Sequence, residues 1–165
     1  MVACFFRKAH MKKLPAVETA KELMTEAMSW SVMKWLREKQ KVRKAADEAN
    51  AALDQLSETV QARWTEGARE AYAALVAQPA GERKGRSQPD PAQALDSDAK
   101  LIAKKVKEAD DEAYRARQDA ENTFDEAERQ LSTSLAREGC RKAIHGWELH
   151  EKAIQKAEAV IRPHE

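Results

Sequence analysis

The chain has 165 residues, of which 35% are charged and only 5% aromatic, and its 29 basic and 28 acidic side chains leave a net charge of +1. That length sets a single domain as the expectation, and the balanced charge excludes a global field drawing the protein to nucleic acid or an anionic membrane. Alanine is the commonest apolar residue among many straight charged side chains, the composition of long helices or coiled coils.

The opening residues 1–10, Met-Val-Ala-Cys-Phe-Phe-Arg-Lys-Ala-His, carry an apolar run too short for a signal peptide. Met11-Lys12-Lys13 reads as a natural second start, so residues 1–14 are expected to be a flexible N-terminal extension. No apolar run approaches the ~20 residues of a membrane span. Cys4 and Cys140 stand far apart and in no metal or redox spacing. Free thiols in a reducing compartment, and hence a soluble cytoplasmic protein, are the expectation.

Pro15 suits the first turn of a helix, where its missing N–H costs nothing, and Glu18 follows at the positive end of the dipole. From Val17 to Leu75 apolar residues recur at steps of three or four, the spacing of one helical face, with Lys39 the main interruption. The charged run from Arg37 to Lys44 contains good helix formers throughout. Residues 15–78 therefore read as one helix.

Residues 79–93 are the least helical stretch, holding three of the five prolines and two of the five glycines almost at the midpoint. Such a cluster between two periodic segments predicts a reversal. Asp90-Pro91-Ala92-Gln93 then has the form of a capping box with an acid at its head. Residues 94–162 read as the second helix, its face running from Leu95 through Ile102, Val106 and Phe124 to Leu135. Gly139 and Gly146, each costing about 1 kcal/mol against alanine, predict a bend or a break that leaves a short extra helix.

The fold expected is all-α, a long antiparallel helical hairpin of coiled-coil character. Pairing across the reversal brings residues together whose numbers sum to about 172. The basic run 34–44 then lies near Asp119, Glu121, Asp125, Glu126 and Glu128, and Trp147 falls beside Met24. In layout alone this resembles the hairpin stalks of bacterial export ATPases and the helical arms of prefoldin-like chaperones. No motif accompanies that likeness, and it implies no function.

Large side chains gather at one end, as Met24, Met28, Trp30, Met33, Trp35, Leu36 and Trp147. They spread around the helix, so one partner helix cannot cover them all. Either a folded-back C-terminal segment completes a thick local core, or these residues bind another protein or a second copy, tryptophan being common in hot spots and methionine adaptable. Insertion into a membrane interface is a third reading, suited by Lys34, Arg37 and Lys39 beside Trp30 and Trp35.

Lys34, Arg37, Lys39, Lys41, Arg43 and Lys44 form the best nucleic-acid candidate, a phosphate-tracking patch whose alternative is a solvated face paired with acids. The loop residues Arg83, Lys84 and Arg86 read as a solubilising tip. His145 and His150, five apart, diverge by about 140° on a helix and do not make the i, i+4 pair of a zinc site. Cys140 beside Arg141 and Lys142 is either an activated thiol or a buried, idle one. No phosphate loop, catalytic constellation or cofactor motif is found. The function expected is a non-catalytic structural or interaction protein, a helical scaffold or adaptor; the alternatives are a nucleic-acid-associated accessory protein and a peripheral membrane protein.

Overall fold

The computed structural model describes residues 13–77 and 97–161, with side chains of the second stretch described from residue 100. The N-terminal ten residues, the reversal at 79–93 with its Asp90-Pro91 cap, and Arg162-Pro163 lie outside the described residues. Every regular element among those described is a helix, so the all-α expectation holds. There are five: α1 (Pro15–Ala27), α2 (Val32–Ala62), α3 (Glu66–Ala77), α4 (Ser97–Gln130) and α5 (Thr133–Ile161).

The stretch read as one helix from 15 to 78 is three. α1 starts at Pro15 as expected and ends in a tight turn, where the N–H groups of Ser29 and Trp30 donate to the carbonyls of Glu26 and Ala27. Ser31 then caps α2, its hydroxyl accepting from the Lys34 N–H at 3.2 Å. Serine side chains compete for nearby backbone groups, which makes them poor in helix interiors and good at caps. The break also resolves the apolar residues that wrap around an unbroken helix. Cut at 28–31, they become the buried faces of two helices, with Met24 on α1, Trp35 on α2 and Trp30 in the link all within the core.

A second break falls at Arg63-Trp64-Thr65. Trp64 is 2% exposed and donates its indole N–H to the Ala157 carbonyl on α5 at 2.9 Å, while Thr65 accepts from the Ala68 N–H at the head of α3. The Tyr72 ring packs edge-on against Trp64, with centroids 5.4 Å apart. The core contact of one large aromatic residue thus outweighs the modest cost of interrupting a helix.

The second half also divides, but not at its glycines. α4 ends at Leu131, whose φ of 51° places a leucine where glycine is usual, and the Ser132 N–H donates to the Ala127 carbonyl, closing a Schellman turn. Ser132 caps α5 through the Leu135 N–H. Gly139 and Gly146 lie inside continuous α5 and are both buried. A Cβ at Gly139 would stand 2.7 Å from the Phe124 ring, and one at Gly146 would stand 3.2 Å from the Arg117 backbone nitrogen. These glycines do not bend α5; they let α4 and α5 approach closely.

The contacts fix the directions. Arg43 reaches Asp125 and Asp54 reaches Arg117, so α2 and α4 run antiparallel. Phe124 meets Gly139 and Arg117 meets Gly146, so α5 folds back along α4 and lies parallel to α2. α1 packs on α2 and α5, and α3 on α4. The core is rich in alanine, with Ala103, Ala109, Ala113, Ala120 and Ala127 buried along α4, and larger side chains such as Leu53, Val106 and Ile154 fill between them. Small side chains permit close helix packing but contribute less on burial than the ~2–3 kcal/mol of a leucine or phenylalanine.

Candidate functional site

The residues singled out for partner binding split on folding. Met24, Trp30, Trp35 and Trp147 are buried, and Met28 and Leu36 are half-buried against the core. Trp35 stacks on Phe124, centroids 5.7 Å apart. Of that set only Met33, 68% exposed, faces solvent. α1 packs on both α2 and α5, so a core completed by the folded-back C-terminal segment, one of the three readings set out for these residues, describes them. The Trp147 indole N–H donates to Asn50 Oδ1 at the middle of α2 at 2.8 Å, and one turn further along α5 Glu151 pairs with Lys21 of α1 at 2.8 Å.

Met33 nevertheless has exposed apolar neighbours at its end of the molecule. Val32 is 37% exposed beside it, and Leu131, at the α4–α5 turn, is 58% exposed. The Lys39–Glu128 pair ties the first turns of α2 to the last of α4, which puts that turn at the same end. The indole N–H groups of Trp30 and Trp35 are both buried with no acceptor among the described residues. Leu131 escaped the sequence reading because its place in the apolar repeat implied burial. Its left-handed backbone, which no periodicity reveals, turns it outward.

The basic run is largely engaged within the fold. Arg43 pairs with Asp125 at 2.6 Å and with Glu128 at 3.6 Å, Lys39 with Glu128 at 4.0 Å, and Lys41 with Glu38 at 4.0 Å. Lys34 sits over the Trp30 ring. Arg37 and Lys44 are exposed. Two of the acids expected opposite the run, Asp125 and Glu128, are thus found there.

A polar cluster that the sequence did not suggest joins three helices at mid-height. Arg117 on α4 forms an ion pair with Asp54 on α2 at 2.9 Å and donates to His150 Nδ1 on α5 at 3.1 Å. Accepting at Nδ1, the neutral imidazole carries its proton on Nε2. Burial, with the Arg117 charge, pushes His150 down to about 4, against a smaller opposing effect of Asp54. Nearby, Tyr72 donates to Asp110 at 2.6 Å. Burial raises the pKa of both groups. His145 is exposed on another side of α5, as the five-residue spacing implies. The Cys140 thiol is buried and pushed up to about 12 by that burial, opposite to the direction of an activated nucleophile.

Among the described residues no group of three or more His, Cys, Asp or Glu side chains is placed to hold a metal ion, and no helix is long and apolar enough to cross a membrane. Set against known protein families, curated proteins and solved structures, the chain matches none.

Proposed function

We propose that this chain is a non-catalytic helical scaffold or adaptor that docks a partner protein, or a second copy of itself, through the end of the bundle bearing Met33, Val32 and Leu131. The observation that carries the reading is Met33, a large flexible side chain 68% exposed with apolar neighbours at its end of the fold. Methionine at such a place suits varied partners, and its burial is worth about 2 kcal/mol. Trp30 and Trp35, close to Met33 in sequence, are buried and tie this stretch to the core.

Light scattering and lysate capture test this on Met33→Glu and Leu131→Glu. Wild type is expected to exceed its monomer mass of 18.6 kDa or to retain a partner, and both variants to lose that behaviour with helicity intact. A monomeric wild type whose captured proteins are the same as those of the two variants would contradict the proposal.

A further inference from the structure

α2 sorts its charge by position. All of its bases, Lys34, Arg37, Lys39, Lys41, Arg43 and Lys44, precede Ala45. All of its acids but Glu38 follow it, as Asp47, Glu48, Asp54 and Glu58. A helix dipole favours the opposite order, with acids near the first turn and bases near the last. The first turn of α2 holds no acid and its last turn no base. On its own, this helix gains nothing from the arrangement.

Part of that charge serves the fold. Lys39 and Arg43 reach Glu128 and Asp125 on α4, and Asp54 reaches Arg117. Lys41 pairs with Glu38, and Lys34 sits over Trp30. The remainder, Arg37, Lys44, Asp47, Glu48 and Glu58, is exposed and makes no ion pair among the described residues. At about 100° per residue, Arg37, Lys44, Glu48 and Glu58 lie within about 80° of one another around α2. Met33 and Ala51, also exposed, share that arc. The face turned from the core thus carries unpaired bases towards one end and unpaired acids towards the other.

A row of that kind is complementary to itself when reversed. We propose that this face of α2 pairs antiparallel with α2 of a second copy, facing residues having numbers that sum to about 93 across a two-fold axis. Arg37 then meets Glu58 of the second copy and Lys44 meets its Glu48, each pair being made twice by the symmetry. Met33 comes to lie over Thr59 and Ala62 of the second copy. The inference rests on the docking of Met33 proposed above and names its occupant. Charge at such an interface selects partner and register more than it adds affinity, so the pairing is sensitive to salt.

Sedimentation velocity of the full chain at low salt reads the association. With rising concentration wild type should approach twice its mass of 18.6 kDa. It should return to the monomer at about 1 M salt, where screening acts within about 3 Å. Arg37→Glu/Lys44→Glu and Glu48→Lys/Glu58→Lys each set like charges face to face. Each should weaken association about tenfold or more, with helicity by circular dichroism unchanged. Mixed in equal amounts, the two variants should pair with each other as wild type does, because every reversed charge then meets its opposite. Three results overturn the inference: a wild type that stays monomeric, either variant pairing alone like wild type, or a mixture that does not pair. Another protein or a nucleic acid on this face would give the first of them. If a monomeric wild type retains a lysate partner that Met33→Glu loses, this inference falls and the Met33 reading stands. A charge-dependent dimer indifferent to Met33→Glu upholds the α2 pairing and removes Met33 from it.

Discussion

Replacing Gly139 by alanine puts the packing of α5 on α4 to a test of sign. In a helix that merely bends at a glycine, alanine adds about 1 kcal/mol of stability by restricting the unfolded chain and favouring the helix. Here the new Cβ would lie 2.7 Å from Phe124 Cδ1 and 2.8 Å from Cε1, closer than carbon atoms tolerate. The ring cannot easily yield, being stacked on Trp35 with the Arg43 guanidinium 5.6 Å from its centroid. Overpacking of this kind costs about 1–3 kcal/mol. Set against the helix gain, the net effect is a loss of up to about 2 kcal/mol. Urea denaturation followed by circular dichroism measures it. In a Phe124→Leu background the clash is relieved, so alanine at 139 should become neutral or stabilising, a coupling of at least about 1 kcal/mol. If Gly139→Ala stabilises the wild-type protein by about 1 kcal/mol, α5 does not pack on Phe124 and the reasoning fails.

Leu131→Gly should stabilise by about 1 kcal/mol, because the left-handed backbone penalises a side chain there and the exposed leucine gives up little burial; an unchanged urea midpoint would contradict the Schellman turn. His150, pushed down to about 4 in the fold, stays neutral while the unfolded chain takes up a proton below its ordinary value near 6.5. Its contribution is therefore complete above pH 6.5 and is lost as pH falls towards 4, by about 3 kcal/mol. His150→Asn should flatten that part of the stability–pH curve, and parallel curves would refute it. Trp64→Phe, which removes the hydrogen bond to the Ala157 carbonyl and leaves a void, should cost about 2 kcal/mol in the same denaturation assay; no loss would detach α5 from the second break.

Periodicity made the helical class legible, and much of the core with it: Val17, Ala20, Met24, Trp35, Val42, Ala49, Leu53, Val60 and Trp64 were all on the face read from the sequence and are all buried. The breaks were harder to see. The apolar repeat runs straight through Ser31 and Thr65, and a cap becomes visible only when the tertiary core rewards a turn there, as burial of Trp30 and Trp64 does. Gly139 and Gly146 were misleading for a related reason. A glycine weakens an isolated helix but permits close approach in a packed one, and sequence alone does not say which applies. The docking residues divide along the same line. Trp30, Trp35 and Trp147 are as apolar as any hot spot, yet the packed bundle buries them and leaves Met33, with Val32 and Leu131, outside. The Arg117–Asp54–His150 cluster joins residues on three helices and had no local signal to find.

The return of α5 along α4 is the claim on which the fold and the exposed end both depend. Spin labels at positions 112 and 152, both exposed, measure it by electron–electron dipolar spectroscopy, with Cys4→Ser and Cys140→Ala removing the native thiols. Folded back with axes about 10 Å apart, the labels should lie within about 25 Å of each other. One continuous second helix would hold them about 60 Å apart at 1.5 Å per residue, and that result would contradict the account.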